Sequence, residues 1–190
     1  MIVYDIEIKR AIQAPGEERI PGIEYAEGWH DHAGMGIACI CAFDLIEQRY
    51  RVFQDDNLDA FADLVEKRPH VVSFNGHRFD DLVCQAAGID IPAEKSVDIA
   101  ARIWAAAGCA TGRHPKGLGL DDLCRINGIG GKTGDGALAP VLWQQGKRGA
   151  VVDYCLADVK LTLGLYRRLA WVGGCIDPRN QGFLKVEVPS

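Results

Sequence analysis

Two carboxylates stand almost side by side near the start of the chain. Asp5 and Glu7 fall within Met1-Ile2-Val3-Tyr4-Asp5-Ile6-Glu7-Ile8, a run of β-branched and aromatic residues that reads as a buried strand. Side chains along a strand alternate faces, so these two acids point the same way. Like charges crowded onto one face repel each other and are costly to desolvate. A divalent cation is the usual remedy; the competing reading is an edge strand with both acids in water. Two later stretches add acids. In Ser73-Phe74-Asn75-Gly76-His77-Arg78-Phe79-Asp80-Asp81 a strand stops, the chain turns at Asn75-Gly76, and two acids enter the first turn of a helix. The helix dipole alone would favour acids there. In Val152-Asp153-Tyr154-Cys155-Leu156-Ala157-Asp158-Val159, Tyr154 and Asp158 are four apart and share a helical face. That face borders the apolar one, which sets Asp158 near the core, where a lone acid needs neutralising.

The elements that must position these groups follow from pattern. After the first strand comes a polar stretch, Lys9 to Gly34, with two Pro-Gly turns. It holds Trp29-His30-Asp31-His32, a His-x-His pair with no third ligand nearby; a substrate-facing loop is preferred to a metal pair. Met35 to Phe43 reads as a central strand and Arg49 to Gln54 as a third, forming an antiparallel meander with the first. Asn57 is placed to cap a helix through Glu66, and Val71 to Phe74 forms a short buried strand. A helix from Phe79 to Ala87 is closed by Gly88, and Ser96 to Ile99 is extended before a helix from Ala100 to Ala107. Beyond a glycine-rich stretch with a helix from Leu120 to Ile126, a short helix spans Pro140 to Gln145. A long helix then runs from Ala150 to Trp171, and Gly182 to Val188 alternates like an edge strand. The expected class is α/β, a mixed sheet of meander then parallel strands flanked by helices.

Composition bounds the rest. The 190 residues are expected to form one domain, with a core over about 1–170 and a C-terminal tail over 171–190. No run approaches a membrane span, and a strand starting at Met1 leaves no room for a leader, so a cytoplasmic location is expected. Seven cysteines without a C-x-x-C pair suggest reduced, buried thiols rather than a disulfide frame or zinc site. A net charge of −5 argues against coating nucleic acid by electrostatics alone. It leaves room for an enzyme that grips a nucleic-acid end through metal ions.

D-x-E on the first strand, N-x-x-x-F-D at a strand-to-helix turn and Y-x-x-x-D on a late helix resemble the three motifs of the DEDD superfamily of 3′–5′ exonucleases. The fold this implies is ribonuclease H-like. Tyr154 resembles the mark of the DEDDy branch, and the chain is most similar to stand-alone exonuclease domains related to family B DNA polymerases. The likeness runs from Met1 to about Leu169. It implies Asp5, Glu7, Asp80 and Asp158 as metal-binding carboxylates and Tyr154 as the group that positions the attacking water. Phosphodiester hydrolysis needs hydroxide at neutral pH and relief of charge on the phosphate, which two Mg²⁺ or Mn²⁺ ions about 4 Å apart supply. Oxygen ligands suit those ions better than zinc. Asp5 would bridge the ions, Glu7 and Asp158 would complete one site, and Asp80 would hold the second ion. A phenol is a poor base at pH 7, so Tyr154 would orient water by hydrogen bond.

Asp81 rivals Asp80, though the family spacing after Phe79 favours Asp80; Asp98 is a further acid for the surroundings of the site. Asn75 and Phe79 would receive the 3′-terminal nucleotide, Phe79 either stacking on a base or serving as core. Gly130-Gly131-Lys132-Thr133 is not a P-loop, because Ile126 stands where that motif needs glycine. Lys132 on this loop would instead contact the nucleic-acid backbone. The expected activity is metal-dependent 3′–5′ cleavage at single-stranded ends, DNA before RNA, with replication or repair proteins as partners and no membrane. An exoribonuclease, a ribonuclease H-like or Holliday-junction endonuclease, and a non-catalytic nucleic-acid-binding module are the alternatives.

Overall fold

The computed structural model describes residues 1–109, 114–132, 134 and 136–189. Thr133 and Asp135 of the glycine-rich loop lie outside the described residues. Strand β1 (Ile2–Ile8) pairs antiparallel with β2 (Ile37–Asp44), and β2 with β3 (Arg49–Phe53). On its other side β1 runs parallel to β4 (Val71–Ser73), and β4 to β5 (Ser96–Asp98). The order β3-β2-β1-β4-β5 is the expected mixed sheet, consistent with a ribonuclease H-like fold. Because β1 is central, the edge-strand reading of Asp5 and Glu7 fails.

Alternation along β1 builds two cores. Ile2, Tyr4, Ile6 and Ile8 face one side, where they pack with Phe61 and Leu64 of α2 (Leu58–Lys67) and Val83 and Cys84 of α3 (Asp80–Ala86). Met1 and Val3 face the other, beneath α4 (Ile99–Ala106), α5 (Leu120–Ile126), α6 (Ala139–Gln144) and the long α7 (Arg148–Val172). Asp5 and Glu7 continue that second row, opposite Cys41 and Cys39 of β2. All seven cysteines are free, and six are buried. No helix among the described residues is long and apolar enough to cross a membrane.

Three local expectations need correcting. The strand expected from Met35 begins at Ile37, because His32–Met35 forms a short helix whose N-cap, Asp31, accepts the Gly34 amide. Asn57 precedes α2 without capping it; its Oδ1 turns back to accept the Gln54 amide at 2.7 Å. The strand near the C-terminus, Phe183–Lys185, does not edge the main sheet. It pairs antiparallel with Gly174–Ile176, a strand not anticipated, in a separate two-stranded sheet. There Cys175 and Val186 are buried in the α7 side of the core.

The turn after β4 decides where the site opens. Asn75 is left-handed at φ 69°, a conformation asparagine tolerates better than most residues. A Cβ on Gly76 would lie 2.1 Å from Ser73 Oγ, so only glycine fits there. The buried Asp98 carboxylate holds the turn from below, accepting the amides of Asn75 at 2.9 Å and His77 at 3.3 Å. The same side chain caps α4 through the Ala101 amide at 3.1 Å. Asp98 thus shapes the loop that carries Asp80. Asp98→Ala should strand these amides and destabilise the fold by about 1–3 kcal/mol in urea denaturation, with Asp98→Asn milder. An unchanged midpoint would mean the turn needs no clamp.

Candidate active site

β4 ends at Ser73 while β1 continues to Ile8, so the chain leaves the sheet and opens a cleft beside the second half of β1. The Ile6 amide, past the last β1–β4 pair, donates to Asp80 Oδ1 at 3.2 Å. A cavity of about 410 Å³ occupies this cleft, within the size range of small-ligand sites. Asp5, Glu7, Asp80 and Asp158 all line it, together with Tyr154, Lys132, Asn75 and Phe79. Residues from four separate stretches therefore meet at one place.

The two neighbouring acids point in different directions. Asp80 faces the cavity, whereas Asp81 points away and accepts the hydroxyls of Tyr4 and, at 2.7 Å, Ser96. Phe79 packs against the Ile6 side of the core and also lines the cavity. His30 and His32 join no cluster of metal-ligand atoms among the described residues. The described triad that does bring its ligand atoms within 4.8 Å is Cys39, Cys41 and Cys155, buried behind Asp5 and Glu7. The four carboxylates are spread more widely around the cavity than that triad.

Burial and mutual repulsion dominate the electrostatics. Burial, then the charges of Asp80 and Glu7, holds the Asp5 carboxyl well above the usual carboxylate range. Glu7 is raised in the same way, by burial first and then by Cys39 and Asp158. Burial also pushes Asp80 up to about 7, despite the Ile6 amide. Asp158 is raised by burial, against the pull of Lys132. The Lys132 ammonium bonds to Asp158 Oδ2 and sits 3.0 Å from Tyr154 Oη. Burial works to lower the Lys132 pKa, but Asp158 outweighs it and the ammonium is retained. Burial pushes the Tyr154 phenol up to about 12. Gly136 lets the glycine-rich loop close on this tyrosine, since a Cβ there would lie 3.0 Å from its hydroxyl oxygen.

Two buried oxygens, Asp158 Oδ1 and Asn75 Oδ1, have no hydrogen-bond partner among the described residues. Unsatisfied buried acceptors are expensive, and both belong to residues on this cavity. An all-oxygen carboxylate set with an orphaned oxygen fits a hard divalent cation. Trp29, from the stretch expected to face substrate, lines the cavity, whereas His30 and His32 do not. Ile12 of the 9–34 insertion and Arg78, which stacks over Trp104 at 5.5 Å, line it as well. Nothing in residue spacing marks those two, because the fold of the insertion and of the 75–80 turn brings them to the rim.

A family model described as a predicted 3′–5′ exonuclease related to the exonuclease domain of PolB matches residues 111–185. The match covers under half of the chain and includes Lys132, Tyr154 and Asp158, but not Asp5, Glu7 or Asp80. No curated protein matches the chain. Among solved structures, the family B DNA polymerase from the hyperthermophilic archaeon Pyrobaculum calidifontis is similar at a TM-score of 0.57 and 17% identity. The likeness covers 88% of this chain and 24% of the polymerase. At that identity it speaks for the fold, and it agrees with the order of strands and helices described above.

Proposed function

We propose that the chain is a 3′–5′ exonuclease of the DEDDy kind, hydrolysing the terminal linkage of single-stranded DNA. The observation that carries this reading is the meeting of Asp5, Glu7, Asp80 and Asp158 on one cavity, with Tyr154 a helical turn from Asp158. Asp5, Glu7, Asp158 and Asp80 would hold two Mg²⁺ or Mn²⁺ ions, which supply hydroxide at neutral pH and relieve charge on the phosphate and leaving oxygen.

The chain's own groups do the rest. Tyr154, protonated throughout the neutral range, donates a hydrogen bond that orients the attacking water. Lys132 reaches both Tyr154 and Asp158, so it can fix the phenol and offer a proton-bearing cation to the scissile phosphate. The orphaned Asn75 Oδ1 accepts from the terminal sugar hydroxyl. Water attacks phosphorus, the bond to the upstream 3′ oxygen breaks, and a 5′-mononucleotide leaves a new 3′ hydroxyl on the shortened strand. Replication or repair proteins are the partners that fit such an activity.

Cleavage of end-labelled single-stranded DNA should require Mg²⁺ or Mn²⁺ and stop in EDTA. Asp5→Asn and Asp158→Asn should each cost more than about 100-fold in rate, beyond the 10- to 100-fold typical of supporting groups around a metal. Asp5→Asn should keep or raise the metal-free melting temperature, because a repelling charge is removed, whereas Asp158→Asn also takes away the partner of the Lys132 ammonium and should lower it. Full activity in EDTA, or in either folded variant, would end the metal reading.

Mononucleotides should leave first from the 3′ end, and circular single strands should remain intact. Nicked circles would favour the endonuclease alternative, and a preference for RNA over DNA of the same sequence would favour the exoribonuclease.

Tyr154→Phe removes one hydroxyl and no metal ligand. It should lower kcat by about 10- to 1,000-fold, a loss of about 1.4 to 4 kcal/mol of transition-state stabilisation, with KM little changed. A variant cutting at the wild-type rate would reduce Tyr154 to a packing residue.

A further inference from the structure

We infer that Trp29, on the 9–34 insertion, is a stacking platform for the base of the 3′-terminal nucleotide. This rests on the nuclease reading of the cavity and names a binding residue that the DEDDy motifs do not contain. Trp29 is 67% exposed, an unfavourable state for the largest aromatic side chain unless something covers it. Exposure alone is a weak argument, since Trp171 is 82% exposed on the last turn of α7. Only Trp29 of the two lines the cavity that holds the carboxylates.

The side chain rests on one aromatic neighbour, and the backbone that carries it is held at several points. Its ring meets Phe79 edge-on, with centroids 5.9 Å apart and planes at 63°, an arrangement that favours aromatic pairs while leaving a tryptophan face free. Phe79 in turn precedes Asp80, so the platform is tied to the acid-bearing turn. The backbone around Trp29 is fixed by Asp31, whose carboxylate accepts the amides of Glu27 at 3.0 Å and Gly34 at 2.9 Å. The base of the insertion is closed by the Ala11–Tyr25 bridge. Gln144 of α6 anchors it further, donating to the carbonyls of Lys9 and Glu24 at 2.9 and 3.0 Å and accepting the Glu24 amide at 2.7 Å. An aromatic side chain presented on so constrained a loop loses little entropy on binding.

The occupant follows from what surrounds it. Lys132, and the acids through the cations they would hold, address a phosphate, Asn75 a sugar hydroxyl, and Trp29 offers an aromatic face. A nucleotide presents these three chemistries in that order. Stacking on an aromatic tolerates every base, so Trp29 should add affinity without sequence preference.

The test measures binding of fluorescent oligodeoxynucleotides, with Ca²⁺ in place of Mg²⁺, to the wild-type chain, Trp29→Ala and Trp29→Phe. Each binds one strand with an ordinary 3′-terminal base and one with a 3′-terminal abasic nucleotide. Trp29→Ala should raise Kd for the ordinary end by about 5- to 150-fold, Trp29→Phe should restore most of the affinity, and the abasic end should bind wild type and Trp29→Ala alike. Equal Kd values for wild type and Trp29→Ala on the ordinary end, or the same loss on the abasic end, would overturn the inference. Hydrolysis with Mg²⁺ is followed in parallel. The expected binding pattern without hydrolysis would sink the nuclease reading and keep the stacking role, whereas no binding of either strand would overturn both.

Discussion

Four carboxylates drawn into one largely buried cleft repel one another, and that repulsion is the constraint the surrounding architecture answers. Asp5 and Glu7 cannot avoid each other, because period two on a central strand places them on one face. Asp80 is held against the Ile6 amide, and Asp158 descends from α7 onto the same floor. Lys132 contributes one ammonium, bonded to Asp158 and Tyr154. That single bonded ammonium does not offset four acids, and burial with mutual repulsion leaves their carboxyls with raised pKa values. A folded protein keeps such an arrangement at a cost in stability, which is reasonable where binding of cations returns the energy.

The rest of the fold can be read as scaffolding for that cluster. A parallel strand cut short at Ser73 frees the edge of β1. The Asn75-Gly76 turn and its Asp98 clamp aim Asp80 inward and leave Asp81 to bond with Tyr4 and Ser96. α7 carries Tyr154 and Asp158 on one face and a long apolar stripe on the next, so core packing and site geometry are set by the same helix. Glycines 134 and 136 allow the Lys132 loop to approach the Tyr154 ring more closely than any side chain would.

Much of this was legible in the sequence because it depends on short-range periodicity. Strand alternation placed Asp5 and Glu7 together, helical spacing joined Tyr154 to Asp158, and the boundaries of α5 were read as they stand. Contacts made at long separation were not legible. The Lys132 bond to Asp158 spans 26 residues, and Trp29 meets Phe79 across 50. The failed cap at Asn57 has the same character: the residue type was right for a cap, but a competing acceptor geometry in the preceding turn took its side chain. The pairing of Gly174–Ile176 with Phe183–Lys185 was missed because three-residue strands carry too little alternation to stand out.

The most direct measurement is anomalous diffraction from crystals of the chain grown or soaked with Mn²⁺. The account predicts manganese peaks in the cleft, ligated by oxygens of Asp5, Glu7 and Asp158 with a second peak beside Asp80, and displacement of the Lys132 ammonium from Asp158. A cleft without manganese at saturating concentration, with Lys132 still bonded to Asp158, would contradict it.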